Sequence, residues 1–238
     1  MLVALVTGAS QGFGRALSEE LVGRGWSLVI DARNGDALSR AESELRPRLA
    51  AGARLLAVRG DVSEPGHRRA LVAACTELGG LDLLVNNAST LGPSPLPRLS
   101  GYPVGDLHRV FEVNVVAPLA LMQETLGLLR RSANPRVINV TSDASVEHYE
   151  GWGGYGSAKA ALDHLSITFG AEEPAVRVWV VDPGDMRTAM HQEAFPGEDI
   201  SDRPLPAEVV PAFLGLIEGQ LPSGRYRAAE LAAAGATK

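Results

Sequence analysis

Leu2-Val3-Ala4-Leu5-Val6-Thr7-Gly8-Ala9-Ser10-Gln11-Gly12-Phe13-Gly14 decides how this chain folds. A short unbroken apolar run ended by a turn signal suits a strand covered on both faces. The glycines at 8, 12 and 14 let the backbone turn sharply and approach a ligand without a Cβ in the way. The helical pattern that follows, Gly14 to Arg24, would offer free amides and a partial positive charge to a pyrophosphate. No Gly-Lys-Ser/Thr follows, which argues against a nucleoside-triphosphate loop. The plainer alternative is a tight strand-helix turn that binds nothing.

The same alternation continues outward. Ser27 to Asp31, Arg54 to Val58, Leu81 to Val85, Arg136 to Val140 and Val176 to Val180 are further strand candidates. The segments between them, such as Gly66 to Leu78, are long enough for crossover helices. This pattern predicts an α/β fold: one Rossmann-type, doubly wound parallel sheet with helices on both faces, in a single domain over residues 1–238. Residues 191–208 hold Pro196, Gly197, Pro204 and Pro206 among many charges and read as a substrate loop. Pro206-Ala207-Glu208 opens a helix expected to run to Ile217, and the Ala-rich end from Ala228 to Lys238 is expected to fray.

Composition removes several function classes. Hydrophobic residues make up 45% and charged residues 21% of 238, ordinary globular usage for one core. A formal charge of −6 disfavours nucleic acid and anionic membranes as partners. No apolar stretch approaches the roughly 18 residues needed to span a bilayer. Met1 runs straight into Leu2 to Val6 without a basic start, so a cytoplasmic location is expected. The single cysteine, Cys75, forms no internal disulfide and reads as a small buried hydrophobe. None of His67, His108, His148, His164 and His191 pairs at ligand spacing, so no metal site is expected. His148 and His191 could border a pocket, but surface histidines are the expected reading.

Later residues add chemistry to the glycine turn. Tyr155 and Lys159 share a face if one helix carries both, and an ammonium near a phenol favours the phenolate. Ser142 follows the strand Arg136 to Val140, where parallel sheets place ligands. Taken singly, Tyr155 is a surface aromatic, Lys159 a solvated charge, Ser142 a turn cap and Asn114 a buried amide. Together, Thr7-Gly8-x-x-x-Gly12-x-Gly14, Asp61-Val62, Asn86-Asn87-Ala88-Ser89, Asn114, Ser142, Tyr155-x-x-x-Lys159 and Pro183-Gly184 resemble the short-chain dehydrogenase/reductase family over residues 1–190. Ser10 to Gly14, Ala32-Arg33-Asn34, Ser89 to Gly92 and Glu172 to Val178 look closest to its sepiapterin reductase branch.

The resemblance implies a soluble NADP(H)-dependent oxidoreductase acting on CH–OH and C=O groups. The cofactor would lie on Gly8, Ser10, Gln11, Gly12, Phe13 and Gly14. Ala32 stands where an acidic residue would select NAD, and Arg33 and Asn34 follow it. A guanidinium there forks onto a 2′-phosphate, so NADP is expected. A slip of one residue would make Asp31 a ribose ligand and reverse the preference. Asp61 and Val62 would read adenine, Asn87 and Ala88 would flank the ribose, and Pro183, Gly184, Met186 and Thr188 would line the nicotinamide side. Ser89 replaces the usual glycine and would narrow the floor.

In the implied reaction, Tyr155 passes a proton to the substrate oxygen as negative charge develops, Ser142 bonds that oxygen, Lys159 lowers the phenol pKa, and Asn114 anchors a water. The substrate is a small carbonyl or alcohol compound: a ketone, an aldehyde or a pterin. The acidic residue with which the sepiapterin reductase branch grips a pterin has no convincing counterpart in the tail. Leu91, Trp152, Met186, Met190 and Phe195 are candidate walls. A homodimer or homotetramer through the helices around Asn114 and Tyr155 is implied as well. Two rivals stay open: a cofactor-binding regulator without turnover, and an enzyme that uses bound NADP for epimerisation or dehydration.

Overall fold

The computed structural model describes residues 1–235. In chain order these form β1 (Val3–Val6), α1 (Gly12–Gly23), β2 (Ser27–Ala32), α2 (Gly35–Leu45), β3 (Leu55–Arg59), α3 (Pro65–Glu77), β4 (Leu83–Asn86), α4 (Val104–Phe111), α5 (Ala117–Leu129), β5 (Arg136–Val140), α6 (Gly153–Glu172), β6 (Arg177–Asp182), α7 (Ala189–Ala194), α8 (Pro206–Glu218), β7 (Gly224–Arg227) and α9 (Ala228–Gly235). One seven-stranded sheet runs β3-β2-β1-β4-β5-β6-β7, and every pair is parallel. The order reverses between β1 and β4, so their C-terminal ends part there and leave a crevice.

Both faces of the sheet are covered, which is why its strands read as unbroken apolar runs. Ala4, Val6, Leu28, Ile30 and Trp179 face a core shared with Leu17 and Leu21 of α1 and Phe213 and Ile217 of α8. Their neighbours Val3, Leu5, Val29 and Val178 face the opposite core, built on Leu71 and Cys75 of α3, Leu121 of α5 and Phe169 of α6. Cys75 is fully buried, and burial pushes its thiol up to about 12, as expected of a structural cysteine.

Three expectations need correction. Strand β7 is an edge strand absent from the sequence reading, because Gly224-Arg225-Tyr226-Arg227 carries no apolar run. Residues 191–208 are not all loop: α7 enters the segment, its first turn capped by the Thr188 hydroxyl, which accepts from the His191 amide at 3.1 Å. The Ala-rich end, given no element in the sequence reading, forms α9 as far as Gly235, with Ala228 packed into the core; residues 236–238 lie outside the described residues.

Candidate active site

The glycine turn is shaped first by the protein itself. A Cβ on Gly14 would lie 2.4 Å from the Asn87 Nδ2, and one on Gly8 would lie 2.9 Å from the Ala88 Cα. Asn87 Nδ2 donates to the carbonyls of Thr7 at 2.8 Å and Gly8 at 3.1 Å, which ties the turn to the end of β4. Asn86 points elsewhere: its amide donates to Asn139 Oδ1 at 2.7 Å and links β4 to β5. Gly12 has φ 56°, in the left-handed region that favours glycine.

From this turn a cleft of about 1420 Å³ runs across the C-terminal edge of the sheet. It is lined by Gly8, Ser10, Gln11, Gly12, Phe13, Ala32, Arg33, Asn34, Asp61, Val62, Asn87 and Ala88 at one end and by Ser142, Tyr155, Lys159, Pro183, Gly184, Met186 and Thr188 at the other. Only Gly14, packed beneath the turn, and Asn114, fully buried behind it, stand back from the surface of the cleft.

The tip of β2 separates Asp31 from Arg33. The Asp31 side chain is 2% exposed; its carboxylate accepts from the Gly8 amide at 2.7 Å and lies 2.8 Å from His67 Nε2. Burial raises its pKa, opposed by those two partners. The carboxylate is therefore committed inside the fold. Arg33 is exposed and forms no ion pair among the described residues, whereas Arg15 nearby is held by Glu19 at 2.7 Å and Glu44 at 2.9 Å. The Asn34 side chain caps α2, its Oδ1 accepting from the Ala37 amide at 3.0 Å. Arg59 went unnoticed in the sequence. It pairs in register with Ala32, and its Nε lies 3.2 Å from where a Cβ on Gly35 would stand. Only the β2–β3 pairing reveals that a second guanidinium shares this corner.

At the other end, α6 presents Tyr155 and Lys159, both buried. Lys159 Nζ donates to the Val140 carbonyl at 2.8 Å and stands 5.5 Å from the centre of the Tyr155 ring. Burial lowers the lysine to about 8, with Asp163 acting in the opposite direction. The expected lowering of the phenol is not what the structure shows. Burial raises Tyr155 well above the ordinary phenol range, hydrogen bonding with Ser89 and Ser142 opposes this, and Asp143 and Asp182 reinforce it. Desolvation of the buried phenol is the largest cause.

Ser142 caps a single turn at Asp143–Ser145. Its hydroxyl donates to Asp143 Oδ1 at 2.8 Å and accepts from the Ala144 amide at 3.2 Å. Asn114 sits in a π-helical turn, Glu112–Val116, between α4 and α5. Its Oδ1 accepts from Ser89 Oγ at 3.1 Å and from the Thr90 amide at 3.0 Å, and its Nδ2 donates to the Thr90 carbonyl at 2.8 Å. The side chain thus anchors the loop beyond β4. Ser89 lines the cleft, as its replacement of glycine suggested.

A second group absent from the sequence reading stands behind Ser142. Arg225 of β7 donates to the Ser142 carbonyl at 3.1 Å and to Asp163 Oδ2 at 3.0 Å. Ser145 Oγ donates to the same Asp163 oxygen at 2.7 Å. This bridge holds the Ser142 turn against α6.

Leu91, Trp152, Met186, Met190 and Phe195 all line the cleft, as expected of walls. Trp152 meets the Tyr155 ring edge-on at 5.8 Å and packs on Phe195 at 5.8 Å. His148 is exposed as read, but His191 is not a surface histidine: its side chain is 10% exposed, packs on Phe195 and lines the cleft. Among the described residues no group of histidine, cysteine and carboxylate side chains could hold a metal ion, and no helix is long and apolar enough to cross a membrane.

Comparison with known proteins identifies the family and the fold. The family model for short chain dehydrogenases matches residues 2–199. Sepiapterin reductase of Meriones unguiculatus is 35% identical over 202 residues, which cover 81% of this chain and 77% of that protein. A rhamnolipid-biosynthesis 3-oxoacyl-[acyl-carrier-protein] reductase of Pseudomonas aeruginosa is 36% identical over 196 residues, 79% of this chain and 74% of that one. A short chain dehydrogenase from Shigella flexneri, solved in complex with NADP, superposes with a TM-score of 0.88 at 26% identity, covering 95% of this chain and 96% of the other.

Proposed function

The chain belongs to the short-chain dehydrogenase family, and from that membership we propose that it is a reversible NADP(H)-dependent reductase of small ketones, aldehydes or pterin-like carbonyl compounds. The observation that carries the proposal is the meeting of Ser142, Tyr155 and Lys159 in the cleft that begins at the Gly8–Gly14 turn. The cofactor is NADP(H). The site fits it: the turn is free of Cβ atoms at Gly8, Gly12 and Gly14, the Asp31 carboxylate faces inward, and Arg33 is unpaired among the described residues. Ser10, Gln11, Gly12 and Phe13 would hold the pyrophosphate, Arg33 with Asn34 and Arg59 the 2′-phosphate, Asp61 and Val62 the adenine, and Pro183 to Thr188 the nicotinamide.

When bound, the cofactor supplies a hydride to the carbonyl carbon. Tyr155 donates its proton to the carbonyl oxygen, and its raised pKa keeps that proton available at working pH. Ser142 turns its hydroxyl from Asp143 to the same oxygen. Lys159 holds positive charge behind the phenol, and Asn114 fixes the Ser89–Thr90 floor. Oxidation of the alcohol reverses these transfers. Assembly through the helices around Asn114 and Tyr155, and a reducing cytoplasmic setting for the free thiol of Cys75, belong to the same proposal.

The test is a panel of ketones, aldehydes and pterins with NADPH and with NADH, run on the wild type and on Tyr155→Phe. The variant should lose about 10²–10⁴-fold in kcat, the range for general acid catalysis. Tight NADPH binding without turnover across the panel would favour a regulator, and equal activity in the variant would remove Tyr155 from the mechanism.

A further inference from the structure

One carboxylate beside the reacting centre has no task in the mechanism above. Asp143 Oδ1 accepts from the Ser142 hydroxyl at 2.8 Å and from the Ala144 amide at 2.8 Å, and Oδ2 accepts from the Tyr149 hydroxyl at 3.0 Å. All three donors are neutral. Among the described residues Asp143 and the exposed Glu147 form no ion pair, whereas Asp163, Asp182 and Asp185 do. Asp185 lies 3.7 Å from His191 and 3.6 Å from Arg203, Asp163 lies 3.0 Å from Arg225, and Asp182 lies within 3.9 Å of both Arg225 and Arg227. Asp143 is half-buried and lines the cleft together with Tyr149, Trp152 and Phe195.

An anion in that position opposes the proposed reduction. Negative charge grows on the substrate oxygen between Ser142 and Tyr155, one hydrogen bond from Asp143, and like charges at this range repel. A positive charge carried by the substrate itself removes the repulsion and gives Asp143 the counter-ion that the protein withholds. Resting on the reductase reading, we propose that the site selects cationic aryl carbonyl compounds: an aromatic ketone or aldehyde with an ammonium group a short chain away from the carbonyl. The ring packs on Trp152 and Phe195, and the ammonium sits on Asp143. The reaction balances as carbonyl plus NADPH plus one proton, giving alcohol plus NADP⁺, with the ammonium unchanged.

The experiment compares phenacyltrimethylammonium with its uncharged isostere, in which carbon replaces nitrogen, on the full chain with NADPH. The variant is Asp143→Asn, which keeps an oxygen to accept from Ser142 and Ala144. The ratio of kcat/KM, cation over isostere, should be about tenfold higher in the wild type than in the variant, which cancels the intrinsic reactivity of the two ketones. The same comparison is made by binding, through quenching of tryptophan fluorescence, because Trp152 is a wall of the cleft. Equal ratios in both proteins, with turnover that depends on Tyr155, overturn the cation preference and leave the reductase reading standing. Asp143-dependent binding of the cation without turnover supports the preference and removes the reductase reading. Neither turnover nor Asp143-dependent binding overturns the proposal.

Discussion

Lys159 places the conflict between stability and function on a single side chain. Its ammonium is buried, and burial lowers its pKa to about 8. The unfolded chain therefore binds the proton more tightly than the folded one, and this group's contribution to stability should rise with pH from about 8 to about 10.4. Lys159→Met should be as stable as the wild type or more so at pH 7, with any advantage narrowing toward pH 10, while activity is lost. Thermal melts of both proteins across that range would check it; a variant that is markedly less stable at pH 7 would mean that the Val140 hydrogen bond outweighs desolvation. The same group should give kcat/KM for reduction an alkaline limb near pH 8. At the opposite end of the cleft, Arg33→Ala should weaken NADPH about ten- to a hundredfold and NADH little, because a charge-assisted fork to phosphate contributes roughly 1.5–3 kcal/mol. Arg59→Ala should act in the same direction. Titration of each variant with both dinucleotides is the measurement, and equal losses for the two would show that the phosphate contact lies elsewhere.

The elements matter through the distances they hold. β5 ends at Val140, α6 supplies Tyr155 and Lys159, and the Asp143–Ser145 turn sets Ser142 between them. β7 closes the back of this group through Arg225. Arg225→Met should leave the buried Asp163 without its ion-pair partner and loosen the Ser142 turn. We expect kcat to fall about tenfold or more with little change in NADPH affinity, and partial rescue by Arg225→Lys. A fall in stability alone, with kcat intact, would make the bridge purely structural. Sequence periodicity served unevenly at this scale. β5 has the expected ends, Arg136 and Val140. β6 ends two residues later than read, since Asp182 is buried as part of the strand and carries the turn to Gly184 through a 2.9 Å hydrogen bond. β7 is not legible in the sequence, because a strand of Gly, Arg, Tyr and Arg at a sheet edge carries no periodic pattern.

For the whole molecule, the parallel sheet supplies the frame, and the cleft opens at its C-terminal edge, where parallel sheets place ligands. Exposed apolar side chains include Val104 at the start of α4, Val116 beside α5 and Ile167 on α6, the helices named for assembly. If these helices pair, light scattering after gel filtration should give a mass of twice or four times 25.1 kDa, and Val116→Glu with Ile167→Glu should shift it toward the single chain. A wild-type protein that runs as a monomer at micromolar concentration would refute the assembly.

The alternation of strands and helices, the glycine turn and the spacing of the candidate site residues are legible in the residues alone, because each rests on local pattern: period, turn chemistry, or two residues four apart on one helix. Assembly of the sheet was needed to turn Asp31 toward His67 and the Gly8 amide, to bring Arg59 beside Ala32 and Gly35, to set Arg225 behind Ser142 and to bury the Tyr155 phenol. Each of these depends on desolvation or on partners tens of residues away, and a side chain's direction and its distance from water exist only once the sheet has assembled.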